Sequence, residues 1–129
     1  MVAHHTPGGI RPPFARYSHG VEIEPGARLV LCSGQLGISA DDAIPESAAD
    51  QTRLCFENVR AILASAGMGL ADIVRINAFV SDRAYLKDYM AARDEFTADP
   101  PPASTLMVVS GFARPEFKVE VEVIAAKAN

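Results

Sequence analysis

Two carboxylates near the end of the chain have a spacing that would allow them to act together. Glu120 and Glu122 lie in the segment 117–125, where apolar and polar residues alternate strictly from Phe117 to Val123. In a β-strand, residues two apart point to the same face, so both carboxylates share one face and the intervening valines share the other. Paired acids of this kind can perform general acid–base chemistry, or they can form an ordinary solvated strand face. The spacing alone leaves both interpretations open.

Few other side chains suggest a catalytic or metal-binding site. His4 and His5 fall in a stretch rich in proline and glycine, where we expect no ordered site, and His19 stands alone on a predicted strand. No Cys/His group has zinc spacing, and no phosphate-binding glycine loop or nucleophile elbow is present. We therefore expect no metal and no cofactor. Cys32 and Cys55 fall in predicted core elements, so we expect two free, buried thiols.

Length and charge limit the class of protein and its partners. The 129 residues fit one domain, 1–129, with 1–15 as an extended lead-in. The net charge of -4 argues against nucleic-acid binding, which usually requires a basic patch. No apolar run approaches the roughly 20 residues of a membrane span, and the first residues lack the apolar stretch of a secretory signal. These features predict no membrane association and a cytoplasmic location.

The hydrophobic pattern predicts an α+β fold with the element order β-β-α-β-α-β-β. The predicted elements are strands at 17–23 and 29–32 joined as a hairpin, a helix from Pro45 to Gly67, a strand at 72–81, a second helix that ends before the prolines at 100–102, and strands at 105–110 and 117–125. Two helices of this length can cover one face of a mixed sheet. The other face carries Phe79 and part of the apolar run 106–109, which predicts an oligomer that buries it.

Short strings along the chain carry a resemblance to a known family. They are Tyr17-Ser18-His19-Gly20, Cys32-Ser33-Gly34-Gln35, Glu57-Asn58-Val59, Ser65-Ala66-Gly67, Asp72-Ile73-Val74, Phe79-Val80-Ser81-Asp82, Pro101-Pro102-Ala103-Ser104-Thr105 and Val119-Glu120-Val121-Glu122-Val123-Ile124-Ala125. Each string is weak alone, but their order and spacing over 14–127 are specific. Together they resemble the RidA/YjgF family, which is RutC-like and formerly carried the labels "translation initiation inhibitor" and "endoribonuclease L-PSP".

The resemblance implies a fold, an assembly and an activity. It implies a chorismate-mutase-like fold and a homotrimer with a small-molecule cleft at each subunit interface. The studied branch hydrolyses reactive enamines and imines, such as 2-aminoacrylate, to a 2-keto acid and ammonia without a cofactor. In that branch an arginine binds the substrate carboxylate through its planar fork, and a glutamate positions the attacking water.

Carried over residue by residue, the resemblance assigns six positions. Glu120 matches the catalytic glutamate, and Tyr17 matches the tyrosine that lines the cleft. Ser33 and Gly34 match its backbone wall, and Thr105 matches the lining residue that follows the serine of the P-A-R-S string. The arginine of that string is replaced by Ala103.

The replacement at position 103 predicts a poor 2-aminoacrylate deaminase. An alanine offers no hydrogen-bond donor, and leaving a carboxylate poorly paired in a desolvated cleft costs on the order of 2–5 kcal/mol. Arg16, Arg75 and Arg114 are the candidates to replace the lost charge, and nothing in the sequence places them at the cleft. Met90 also stands where the family often has an asparagine.

Two functions remain open at this point. The first is hydrolysis of a small imine or enamine in a branch of the family that lacks the arginine. The alternative is a non-enzymatic trimer that binds a small metabolite or a protein partner in the interface cleft. A ribonuclease, as the old label suggests, fits poorly with an acidic chain that has no histidine pair placed for such chemistry.

Overall fold

The computed structural model describes residues 2–129, and its secondary structure follows the predicted order with one added strand. The elements are β1 (Val2–His5), β2 (Gly20–Ile23), β3 (Arg28–Leu36), α1 (Ala48–Ser65), β4 (Ile73–Val80), α2 (Leu86–Asp94), β5 (Ala103–Val108) and β6 (Val119–Lys127), with short 3-10 turns at Leu70–Asp72 and Arg83–Tyr85. The predicted α+β fold with two helices is confirmed for this part of the chain.

The main sheet has the strand order β3-β6-β4-β5. Strand β6 runs antiparallel to both of its neighbours, whereas β4 and β5 are parallel. A parallel pair needs a long crossover, and α2 provides it between β4 and β5. The central position of β6 explains its sequence, because Val119, Val121 and Val123 are at most 2% exposed and fill the core. The mixed sheet is therefore confirmed.

Helix α1 provides most of the core side chains opposite the sheet. Cys55, Phe56, Val59 and Leu63 are fully buried on one stripe of the helix, as the helical spacing predicts. The helix begins at Ala48 rather than near Pro45, because the Ser47 hydroxyl accepts the backbone N–H of Asp50 and caps the first turn. Just past its end, Gly67 has φ +72, the left-handed conformation expected there.

The amino-terminal region differs from the sequence-based expectation. Val2–His5 of the expected lead-in forms β1, which pairs antiparallel with β2 in a separate two-stranded sheet. The hairpin predicted for the strands at 17–23 and 29–32 is therefore wrong. These strands correspond to β2 and β3, and β3 pairs with β6 instead. His4 is also held in place, with its Nδ1 3.0 Å from the Ser18 hydroxyl. The alternation within each strand was readable, but the identity of its partner strand was not.

The two cysteines are free and buried, as predicted. Burial and, to a smaller extent, the nearby Glu120 carboxylate raise the pKa of the Cys55 thiol to about 12. Its sulfur donates to the Gln35 carbonyl at 3.2 Å. Cys55 is therefore a small core residue that is not ionised at neutral pH.

Within residues 2–129, no helix combines the length and the apolar character needed to cross a membrane.

Gly37 is predicted to be essential for the packing of α1 against the sheet. A Cβ at this position would lie 2.6 Å from the Gln51 Cβ and 2.8 Å from its Cα. Gln51 is fully buried, and its amide donates to the carbonyls of Pro45 and Glu116 and accepts from the Lys118 N–H. We expect Gly37→Ala to lower the free energy of unfolding by about 1–3 kcal/mol, measured by chemical denaturation.

The matched control is Gly20→Ala. A Cβ at Gly20 would meet its nearest atom at an ordinary 3.9 Å. We expect this variant to unfold like the wild type. Equal stabilities of the two variants would contradict the packing argument.

Candidate functional site

A β-bulge places Ser33 and Gly34 beside the two glutamates. Cys32 pairs with Val123 and Gln35 pairs with Val121, so three residue steps on β3 match two on β6. The extra residue takes Ser33 and Gly34 out of the regular ladder, opposite Glu122. Bulges bend a strand and redirect its side chains, and they are common near functional sites. The segment that the resemblance assigns to the cleft wall is therefore irregular for a structural reason.

Glu120 lies directly over Gly34. A Cβ at position 34 would overlap the Glu120 carboxylate and lie 2.8 Å from its Cδ, so only glycine leaves room for it. Glu120 makes no hydrogen bond or ion pair with any residue in 2–129. Burial, and then repulsion from Glu122, raise the pKa of Glu120. A partly buried, unpaired carboxylate of this kind is a candidate general base.

Glu122 has a different environment, because it belongs to a row of hydrogen bonds across the sheet. Asn77 Nδ2 donates to Glu122 Oε1 at 3.3 Å, and Arg75 Nε donates to Asn77 Oδ1 at 3.0 Å. Arg75 Nη2 donates to the Thr105 hydroxyl at 2.7 Å. Thr105, on β5, is thus linked through β4 to Glu122 on β6. All of these side chains lie on the face that the helices leave uncovered.

The structure separates the three arginines proposed as replacements for the residue missing at position 103. Arg16 donates to the Thr97 side chain and to the carbonyls of Thr97 and Ala98. Arg114 lies over the Phe117 ring, 5.7 Å from its centroid. Arg75 pairs in register with Ala103 and donates a hydrogen bond to the Thr105 hydroxyl. Of the three, Arg75 is the one beside Ala103 and Thr105.

Tyr17 lies beyond the β5 edge of the sheet, three strand positions from Glu120 on the interior strand β6. Its neighbour Ser18 forms a parallel bridge with Ala103, which adds this segment beside β5. The Tyr17 Oη accepts the Phe14 N–H at 3.2 Å. The ring lines a cavity of about 210 Å³ together with Met90, Arg93, Ser104 and Leu106. Ser104 and Leu106 alternate with Ala103 and Thr105, so this cavity is on the helix side of β5.

Arg93, on α2, borders the same cavity and is absent from the residues that the sequence indicated. Its charge is typical of a surface residue, but it is only 2% exposed. The signal that could have found it is its spacing, because Arg93 lies one turn after the buried Tyr89 and shares its helix face.

The six residues assigned by the resemblance do not meet within one chain. Glu120 on β6 contacts Gly34 on β3, where Ser33 is the adjacent bulge residue, whereas Ala103 and Thr105 lie on β5 and Tyr17 lies beyond it. Four strand spacings, about 19 Å in total, separate the Tyr17 segment from β3. One chain thus holds two half-sites on the same sheet, one at the β3–β6 pair and one at the β5 edge. We call them the Glu120 half-site (Ser33, Gly34, Glu120) and the Tyr17 half-site (Tyr17, Ala103, Thr105).

Comparison with known families gives one match over nearly the whole chain. Residues 9–127 match the family model described as Endoribonuclease L-PSP. The chain belongs to this family, which is the RidA/YjgF family. The resemblance read from the short strings is therefore confirmed.

Related proteins and solved structures extend this result. TdcF of Escherichia coli (strain K12) is 32% identical over 95% of this chain and 92% of its own length. The 2-iminobutanoate/2-iminopropanoate deaminase of Salmonella typhimurium is 28% identical over 98% of this chain and 96% of its own. The structure of the Rid family protein YyfB from Yersinia pestis superimposes with a TM-score of 0.85 at 26% identity, covering 98% of each chain. That of E. coli TdcF with bound serine gives 0.72 at 29% identity, over 97% of this chain and 98% of that one.

The environment of Glu120 predicts a pKa that depends on its neighbour. We expect the pKa of Glu120, followed by NMR titration of its side-chain carboxyl, to lie above that of an ordinary glutamate. Glu122→Gln should lower it, because the substitution removes the repulsion but keeps the side-chain shape. The folded state raises the pKa of Glu120, so folding favours the protonated carboxyl. The free energy of unfolding of the wild type should therefore fall, relative to that of Glu120→Gln, as the pH rises through the raised pKa.

Glu57→Gln is the control for the titration. Glu57 is exposed and paired with Arg60 on α1. Its replacement should leave the titration of Glu120 unchanged. An ordinary pKa for Glu120, or one that Glu57→Gln changes as much as Glu122→Gln does, would contradict the assignment.

Proposed function

We propose that this protein is a hydrolase of small reactive imines or enamines, with Glu120 as the catalytic residue. The observation that carries the proposal is the unpaired Glu120 carboxylate over Gly34, with a pKa raised by burial. A carboxylate paired with a cation would be a weaker base, and a fully solvated one would have an ordinary pKa. The name of the Salmonella relative, a 2-iminobutanoate/2-iminopropanoate deaminase, supports the same chemistry.

The reaction needs only a positioned water and a proton carrier. Glu120 accepts a proton from water while the oxygen attacks the imine carbon, and the C=N double bond becomes a single bond. Glu120 then returns the proton to the nitrogen of the tetrahedral intermediate. Glu120 next takes the hydroxyl proton of this intermediate and passes it to the same nitrogen. The C–N bond then breaks, ammonia leaves and the carbonyl forms, so that imine and water give ketone and ammonia. The backbone at Ser33 and Gly34 would hold the substrate against Glu120.

We further propose that the active protein is a homotrimer in which the two half-sites of neighbouring copies form one cleft. Two observations support this. The half-sites lie on different strands of one sheet, at β3–β6 and at the β5 edge, so each lacks the groups of the other. The face that the helices leave uncovered also exposes apolar side chains, with Leu31 71% and Met107 50% exposed in the single chain. Apolar residues of this kind on one sheet face favour burial against another copy.

The reference substrate 2-aminoacrylate is expected to be turned over slowly. Ala103 offers its carboxylate no donor, and the nearby Arg75 already donates to Thr105 and Asn77. A charge-assisted hydrogen bond is among the stronger interactions available for binding a carboxylate. Binding of a small 2-imino acid is therefore weakened where the family usually has its arginine.

Ala103→Arg is expected to raise the rate of 2-aminoacrylate hydrolysis by about 10- to 100-fold, the value of one hydrogen bond to a charged group. The measurement is ammonia or keto-acid release from 2-aminoacrylate generated in the assay. Adding Glu120→Ala to this variant should remove the gain. Thermal unfolding checks that each variant is folded, because Ala103 is only 8% exposed.

Val108→Arg is the control, because it adds the same charge to β5 at a position that is 44% exposed. It should leave the rate unchanged. If the unmodified protein matches arginine-containing relatives assayed beside it, the role assigned to Ala103 is wrong. If neither the protein nor Ala103→Arg hydrolyses any imine, the non-enzymatic binding trimer becomes the better description.

A further inference from the structure

A buried arginine borders the cavity at the Tyr17 half-site. The Arg93 side chain is 3% exposed, although arginine is rarely buried without a partner. Its Nε and Nη2 both donate to a single oxygen of Asp94, at 3.1 and 3.0 Å. Asp94 is itself 41% exposed, so water and salt weaken its hold on the guanidinium. A guanidinium has five N–H donors, and those used by Asp94 are only part of them.

Two hydroxyl groups border the same cavity with capacity to bind a ligand. The Ser104 Oγ is buried and has no hydrogen-bond partner in the described part of the chain. Such a group costs folding free energy unless something pairs with it. The Tyr17 Oη accepts the Phe14 N–H, which leaves its own proton free to be donated. Met90 and Leu106 supply apolar wall beside these polar groups.

We propose that this cavity binds a small carboxylate with a short apolar chain. Arg93 supplies the charge, Ser104 and Tyr17 donate to the carboxylate oxygens, and Met90 and Leu106 contact the chain. The identity of the ligand rests on the proposed function: the bound carboxylate is the acid end of a small imino or keto acid. Arg93 thereby provides carboxylate recognition from α2, on the other side of β5 from Ala103.

The chemistry of the cavity favours a monoanion of this size. One guanidinium, already shared with Asp94, does not balance the double charge of a phosphate. A cavity of about 210 Å³ is smaller than the roughly 300–1,000 Å³ pockets that hold drug-sized ligands, so it suits a small molecule. Because Asp94 competes for the guanidinium, its charge sets the affinity. Removing Arg93 and removing the charge of Asp94 should therefore have opposite effects.

The test is calorimetric titration of the full chain with propanoate, with propanamide as the neutral isostere. Wild type should bind propanoate and prefer it to propanamide. We expect Arg93→Met to weaken propanoate binding by about 10- to 100-fold. Asp94→Asn should strengthen it by about two- to fivefold, the usual worth of an exposed ion pair. Ser104→Ala should weaken propanoate binding while leaving the net charge of the protein unchanged.

Two further variants control for folding and for net charge. Arg93→Lys keeps the charge and should retain part of the binding if Arg93→Met fails to fold. Arg60→Met removes an exposed arginine of α1 that pairs with Glu57, and should bind propanoate like the wild type. The proposal is overturned if wild type does not bind propanoate, if propanamide binds equally well, or if the Arg93 and Asp94 variants bind like the wild type.

Imine hydrolysis, measured separately on the same variants, distinguishes this inference from the proposed function. Hydrolysis without Arg93-dependent propanoate binding overturns the cavity assignment and leaves the proposed function standing. Arg93-dependent binding in a protein that hydrolyses no imine overturns the proposed function and leaves the cavity assignment standing.

Discussion

The alternation of valine and glutamate along β6 is the constraint on which the fold and the candidate site both depend. This strand is central in the main sheet, so its valines must face the helices and fill the core. The same alternation places Glu120 and Glu122 on the uncovered face. The bulge at Ser33 and Gly34 then makes room for Glu120 against the next strand. A shift of the register by one residue would expose the valines and bury both carboxylates.

The two glutamates have the same spacing but different environments. Glu122 accepts from Asn77, which in turn accepts from Arg75, so Glu122 is part of a polar row that reaches Thr105. Glu120 has no such partner in the described chain, and its pKa is raised. The neighbouring charge of Glu122 contributes to that shift, so the structural carboxylate helps to make the other one basic. This division of roles follows from neighbouring strands and not from β6 itself.

Local patterns in the sequence predicted the elements well and their pairing poorly. The apolar stripe of α1 and the alternation of β4 and β6 were readable, because burial on one face imposes a period on each segment. The partner of β3 was not readable, since β6 lies about ninety residues away along the chain. The strand β1 was missed for a similar reason, because His4 and His5 carry no strand signal apart from their pairing with β2.

The candidate site could be predicted residue by residue, but its division into two half-sites could not. The strings around Tyr17, Ser33 and Glu120 indicated which residues to examine. The strand order places Ser33 and Glu120 on neighbouring strands and Tyr17 beyond the far edge, beside β5. Arg93 escaped notice because its charge indicates a surface residue, whereas α2 turns it inward beside Tyr89. A buried charge is identified by its surroundings, which a single sequence does not contain.

The central claim is that the Tyr17 half-site of one copy meets the Glu120 half-site of another. The most direct measurement is cross-linking of a Tyr17→Cys, Ser33→Cys double variant with a thiol reagent that is shorter than the width of the sheet. The wild type and each single variant are the controls, because Cys32 and Cys55 are buried. The account predicts chains joined to one another, up to a covalent trimer, in the double variant and not in the controls. A double variant that reacts with the reagent but stays a single chain in denaturing electrophoresis would contradict it.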